Sequence, residues 1–133
     1  MNRYFIDTCV LKWVLEGNKR TKRVASDIEY YQGNFAVSIN VLQEFANLLA
    51  NGKLEMKYND KKLISDLEEL GIEVCYFEKK HLKYLFDLPY FPQHGDPIDR
   101  NIIAHAIAEK RILISGDERF PLYEKHGLKF LKV

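Results

Sequence analysis

Cysteine is scarce in this chain. The 133 residues hold two, Cys9 and Cys75, far apart and without CxxC or Cys/His spacing, which argues against a zinc site and a disulfide framework and leaves two packed thiols as the expectation. The seven glycines are scattered, and none builds the phosphate loop that a dinucleotide-binding unit needs after its first strand. No apolar run approaches the roughly 18 residues of a membrane span, so no membrane association is expected. Asp7 interrupts the first apolar segment before a secretory core could form, which makes the cytoplasm the expected compartment. Neither charge sign prevails, since 20 Lys and Arg meet 19 Asp and Glu. A contact with nucleic acid must therefore come from a local patch instead of overall basicity. Lys19, Arg20, Lys22 and Arg23 form the best one, in a run that also suits a solvated helix start.

What remains is ample apolar material, 47% of residues against 29% charged, enough for one domain over 1–133 that buries a real core. The apolar segments alternate in kind. Arg3 to Asp7 reads as a buried strand, and Thr8 opens a helix carrying Val10, Leu11, Val14 and Leu15 to Gly17. A helix over about 21–32, a strand at Phe35 to Ser38 and a helix from Asn40 to about Ala50 follow. Next come a helix from Asp60 to Leu70, a strand from Ile72 to Phe77 and an amphipathic helix from Lys79 to Leu88. Pro89 to Gly95 is a loop. After the helix it leads into, Arg111 to Ser115 is a strand, Phe120 to Lys125 a short helix and Leu128 to Val133 a last strand. This order predicts a three-layer α/β/α domain with a mostly parallel sheet of about five strands.

The stretch Asp96-Pro97-Ile98-Asp99-Arg100-Asn101-Ile102-Ile103-Ala104-His105-Ala106 announces its own helix, with Asp96 as N-cap and Pro97 as N1. Advancing 100° per residue from Asp99, the side chains of Ile102, Ile103 and Ala106 fall at roughly −60°, +40° and −20°. Asp99 thus heads the apolar stripe, where an unpaired carboxylate costs several kcal/mol unless donors, a cation or a solvated cleft receive it. A plain alternative is an acidic first turn serving the helix dipole.

Three further acids share this placement. Asp7 and Asp117 end strands, although Asp7 also suits the N-cap of the helix after it. Glu44 sits on the shoulder of the stripe formed by Val41, Leu42, Phe45, Leu48 and Leu49. In a doubly wound sheet, strand ends and the neighbouring helix turns meet on one edge. Four ionised carboxylates there repel one another, and a hard divalent ion, Mg²⁺ or Mn²⁺, resolves the conflict through oxygen ligation. Metal-assisted phosphodiester hydrolysis is the chemistry such a site supports.

The runs Tyr4-Phe5-Ile6-Asp7-Thr8, Ser38 with Glu44, His94-Gly95-Asp96-Pro97-Ile98-Asp99-Arg100-Asn101-Ile102-Ile103-Ala104-His105-Ala106 and Leu113-Ile114-Ser115-Gly116-Asp117 together resemble a PIN domain, and within that family the VapC-type toxins of toxin–antitoxin pairs. The resemblance implies an endoribonuclease acting on single-stranded RNA, with Asp7, Glu44, Asp99 and Asp117 as the acidic quartet that binds Mg²⁺ or Mn²⁺. It makes Asp96 a secondary acid and Ser115 the small hydroxyl residue beside the last acid. It also implies a cognate antitoxin and a homodimer, whose surfaces the aromatic content around Lys79 to Leu88 and Tyr30-Tyr31 would supply. Of the histidines, His105 projects about 120° from Asp99, away from the stripe, and His81 and His126 fall in solvated-looking segments. Only His94 precedes the motif closely enough to approach the cleft.

Competing readings are a PIN-fold nuclease of RNA processing without a toxin role, and an aspartyl-phosphate phosphatase with Asp7 as nucleophile. The second lacks its usual second acid, because Cys9 occupies that position. A non-catalytic interaction module on the same fold is a third.

Overall fold

The computed structural model describes residues 2–17, 26 and 34–133. The expected helix over 21–32, the basic run Lys19 to Arg23 and the Tyr30-Tyr31 pair lie outside these residues. Among the described residues five strands pair in the order β3-β2-β1-β4-β5. They are β1 (Tyr4–Ile6), β2 (Phe35–Ser38), β3 (Glu73–Cys75), β4 (Ile112–Ser115) and β5 (Lys129–Lys132). Every pairing is parallel, with Tyr4 beside Phe35 on one side and Ile112 on the other. Such a sheet needs both faces covered, which is why β2 is buried at all four positions and Phe5, Ile6, Leu113 and Ile114 carry almost no exposure. Helices on the two faces complete a three-layer α/β/α fold.

The helices are α1 (Thr8–Glu16), α2 (Ile39–Ala50), α3 (Asp60–Glu69), the short α4 (Leu82–Asp87) and α5 (Pro97–Ala108). Local chemistry starts each long one. Asp7, Ser38, Asn59 and Asp96 are N-caps whose side chains accept backbone N–H groups of the first turn, each worth about 1 kcal/mol. Gly17 closes α1 at φ +69°, a left-handed conformation that other residues adopt at a cost.

Several expectations change. The strand expected over Ile72 to Phe77 covers only Glu73–Cys75, because past the edge of the sheet Tyr76 is exposed and unpaired in the ladder. The helix expected from Lys79 begins as a 3₁₀ turn, Lys79–His81, and the Phe120 segment is 3₁₀ throughout, Phe120–His126. The Pro89 to Gly95 loop contains a further 3₁₀ turn, Pro92–His94. Cys9 is exposed and Cys75 is half-buried, so neither thiol is fully packed.

His105 and His81 are buried, against the expectation of solvent-facing rings. A single stripe describes a helix covered on one side, whereas α5 packs against α2, α4 and β4 and buries five consecutive residues from Ile102 to Ala106. His126 is exposed as expected.

Candidate metal centre

Chain order reverses between β1 and β4. The sheet grows outward from β1 through β2 to β3, then returns to the other side with β4 and β5. At that switch point two adjacent strands send their connections to opposite faces, leaving a crevice at the carboxyl ends. Asp7 follows β1 and Asp117 follows β4, and the two ends are tied by the Asp7 N–H donating to the Ile114 carbonyl at 3.1 Å. The N-terminal turn of α5 brings Asp99, and the second turn of α2 brings Glu44. All four acids line one cleft of about 230 Å³, with Thr8, Cys9, Lys12 and Phe120 among the remaining walls.

Asp7 is held on both oxygens. Oδ1 accepts the Val10 N–H at 2.9 Å, capping α1, and Oδ2 accepts the Ser115 hydroxyl. The cap and the cleft acid are therefore the same residue. Ser115 Oγ in turn accepts the Asp117 N–H at 3.0 Å, so one hydroxyl sets two of the four acids. Gly116 between them is required by space, since a Cβ there would lie 2.9 Å from the Trp13 ring. Asp96 is exposed and caps α5 by accepting the Asp99 N–H at 2.9 Å, which frees the Asp99 carboxylate from capping.

Burial pushes the Asp7 carboxyl up to about 6, and the charges of Glu44 and Asp117 add to the rise. Burial likewise raises Asp99 to about 7, helped by Asp96, Glu44, Asp117 and Asp7. Burial also works to raise Asp117, but the Arg119 side chain and backbone N–H groups, donating to both of its oxygens at 2.8–3.1 Å, hold it below the ordinary carboxylate range. His94 is buried, and its Nε2 lies 3.1 Å from Asp99 Oδ2 and 3.8 Å from Asp117 Oδ2. The expected approach of this ring to the cleft is observed. Arg119 and Tyr123, which contacts His94, carry no motif of their own in the sequence; the one available signal was an arginine two residues after a strand-end acid.

The donor set fits a divalent cation. His94, Asp99 and Asp117 can each offer one atom within 4.8 Å of the others, as can Glu44, Asp96 and Asp99. Burial raises Asp7 and Asp99, and the neighbouring acids add a repulsion that a cation would relieve. Thr8 Oγ1, which lines the same cleft, is buried without a hydrogen-bond partner. Oxygen donors suit Mg²⁺ or Mn²⁺.

Fold and cleft thus define a parallel α/β protein with a carboxylate centre at its switch point. A family model described as the PIN domain matches residues 4–125, and the chain belongs to that family. No curated protein sequence matches it. Among solved structures it is similar to VapBC2 from Rickettsia felis bound to a DNA fragment from their promoter, at 19% identity and TM-score 0.69 over 97% of both chains. It is also similar to DNA-bound VapBC from Salmonella typhimurium, at 13% identity and TM-score 0.70 over 99% of this chain and 98% of that one. VapBC-1 from nontypeable Haemophilus influenzae aligns at 17% identity and TM-score 0.66, over 97% and 96% of the two chains.

Proposed function

We propose that this PIN-domain protein is a metal-dependent endoribonuclease acting on single-stranded RNA, and the toxin of a toxin–antitoxin pair. The observation that carries the reading is the convergence of Asp7, Glu44, Asp99 and Asp117, from four separate elements, on one cleft. In this reading the four acids hold Mg²⁺ or Mn²⁺, which when bound supplies an activated water and a charge against the scissile phosphate. The chain's own residues do the rest. Ser115 fixes Asp7 Oδ2, Asp96 sets the helix turn that presents Asp99, and the Arg119 guanidinium beside Asp117 is a cation for a phosphate oxygen. Lys19, Arg20, Lys22 and Arg23 contact the RNA backbone, positioning the strand without reading its bases.

The partner reading draws on the VapBC assemblies that share the fold and on the resemblance to VapC-type toxins. It gives this chain a cognate antitoxin, a homodimeric state and a cytoplasmic site of action. The phosphatase reading is weaker because Cys9 stands two residues after Asp7, where that chemistry needs a second acid. A processing nuclease without toxin activity is separated by growth. Expression of active enzyme without growth arrest would remove the toxin role.

Cleavage of a single-stranded RNA with Mg²⁺ or Mn²⁺, and its complete loss with excess chelator, is the expected outcome; undiminished cleavage in chelator would overturn the mechanism. Ser115→Ala should reduce the rate about 10- to 100-fold, as loss of a group that orients a ligand does, while the helix cap from Asp7 to Val10 survives. A rate within twofold of wild type would show that Ser115 does not set the site.

A further inference from the structure

His94 lies outside the acid quartet, yet each of its two ring nitrogens has a fixed partner, Tyr123 on one side and Asp99 on the other. The ring is 1% exposed and packs edgewise against Phe120 and Tyr123, at centroid distances of 5.3 and 5.4 Å. Tyr123 brings one hydroxyl proton to two contacts, the His94 carbonyl oxygen at 3.0 Å and His94 Nδ1 at 2.9 Å. A carbonyl can only accept. The tyrosine proton therefore goes to the carbonyl, and Nδ1 must carry the proton that it donates to the phenol oxygen. In the neutral ring this leaves the lone pair on Nε2.

That lone pair faces the cleft. Asp99 Oδ2 stands 3.1 Å away and Asp117 Oδ2 3.8 Å, so acceptor meets acceptor unless a proton or a cation lies between them. Around an ion with bonds of about 2.1 Å in octahedral geometry, adjacent donors are about 3.0 Å apart and opposite ones about 4.2 Å. Both observed spacings fall within that range. The Tyr123 contact is also the arrangement that histidine ligands need, in which the distal N–H is held by an oxygen that fixes tautomer and ring orientation.

We infer that His94 Nε2 is a nitrogen ligand in the acid cleft, and that it biases this centre toward Mn²⁺ over Mg²⁺. The inference rests on the metal-site reading above and deepens it. Mg²⁺ holds to oxygen donors, whereas a first-row transition ion gains from an imidazole. Tyr123 is a positioning residue, acting only by locking the tautomer.

The test uses the full chain with Mn²⁺ or Mg²⁺ alone, by titration calorimetry and by the nitrogen modulation in the pulsed electron-spin resonance of bound Mn²⁺. Wild type is compared with His94→Phe, which keeps a ring against Phe120 and Tyr123, and with Tyr123→Phe. Wild type should bind Mn²⁺ at least tenfold more tightly than Mg²⁺ and show imidazole modulation. His94→Phe should lose about tenfold or more in Mn²⁺ affinity together with the modulation, and change little for Mg²⁺; Tyr123→Phe should fall between. Equal Mn²⁺ affinity in wild type and His94→Phe, or no nitrogen modulation in wild type, overturns the assignment. If His94→Phe does not fold, ¹⁵N-histidine labelling of the wild type decides alone, through the changed or unchanged modulation. Should neither ion bind wild type, the metal centre itself falls, an outcome distinct from Mn²⁺ binding without a nitrogen.

Discussion

Asp99→Asn should abolish RNA cleavage to below about one part in a hundred while making the metal-free protein more stable at alkaline pH, two effects of opposite sign from one lost charge. The loss of rate follows from a misplaced ion, since displacement of a reacting group by about 1 Å costs on the order of a hundredfold. The stability gain follows from proton linkage. Asp99 has an ordinary value of 3.8 and is raised by burial to about 7 in the folded protein. Between those values the native state binds the proton more tightly than the unfolded chain does, so stability falls as pH rises through the interval and levels off above it. Asn carries no such penalty. At about pH 3.5 the two proteins should unfold close together, and by about pH 8 the variant should lead by roughly 1–4 kcal/mol.

The comparison must be a difference between two proteins. Asp7, raised to about 6, acts in the same direction as Asp99 in wild type, whereas buried His94 and His105, both lowered by desolvation, act in the opposite one. Those contributions cancel on subtraction to the extent that the sites are independent. Saturating Mg²⁺ or Mn²⁺ should then shift the balance back toward wild type, because an ion at a hundredfold of its Kd stabilises only the protein that binds it, by about 2.7 kcal/mol. If Asp99 merely served the first turn of α5, Asn would cost up to about 1 kcal/mol at every pH and activity would survive. Asp96 already fills the capping role. Melting curves at both pH values, with and without metal, distinguish the two accounts.

Sequence pattern reached the sheet and the acids for the same reason: both are local. A strand that ends in Asp and turns at once into a helix, as at Ile6-Asp7-Thr8, places its carboxylate on the carboxyl edge whatever the rest of the chain does. Asp96-Pro97 likewise fixes where α5 begins, and with it the direction of Asp99. What escaped the sequence depends on contacts between distant segments. Tyr123 meets His94 across 29 positions, and nothing in either neighbourhood announces the other. Arg119 was equally silent, because an arginine beside an acid is ordinary on a surface and matters here only through the carboxylate it grips. The histidines of α5 and its neighbour were misplaced because a helix wheel assumes one wet side, and α5 has little of one.

His105→Ala should cost about 3–5 kcal/mol, the range for removing a large buried ring, and His105→Phe should cost little at neutral pH yet stabilise the protein in acid. The ring touches Phe5 and His81 at centroid distances of 4.9 and 4.5 Å and is fully buried, so Ala leaves a cavity and Phe refills it. Ser38 Oγ accepts from both the backbone and side-chain N–H groups of Asn40 and so gives its own proton to His105 Nδ1 at 2.8 Å. Phe removes that acceptor, a loss of about 1 kcal/mol. It also removes Nε2, which is buried without a partner, and the two changes partly offset each other. Burial lowers His105 from 6.5 to about 4. Here the unfolded chain binds the proton more tightly, so wild type loses stability as pH falls through that interval, by up to about 3 kcal/mol. The Phe variant has no proton to take up. Urea unfolding at about pH 7.5 and pH 5 should therefore show the two proteins within about 1 kcal/mol of each other at the higher value and His105→Phe ahead at the lower; parallel losses in acid would mean that another group, and not this ring, sets the acid limit of the fold.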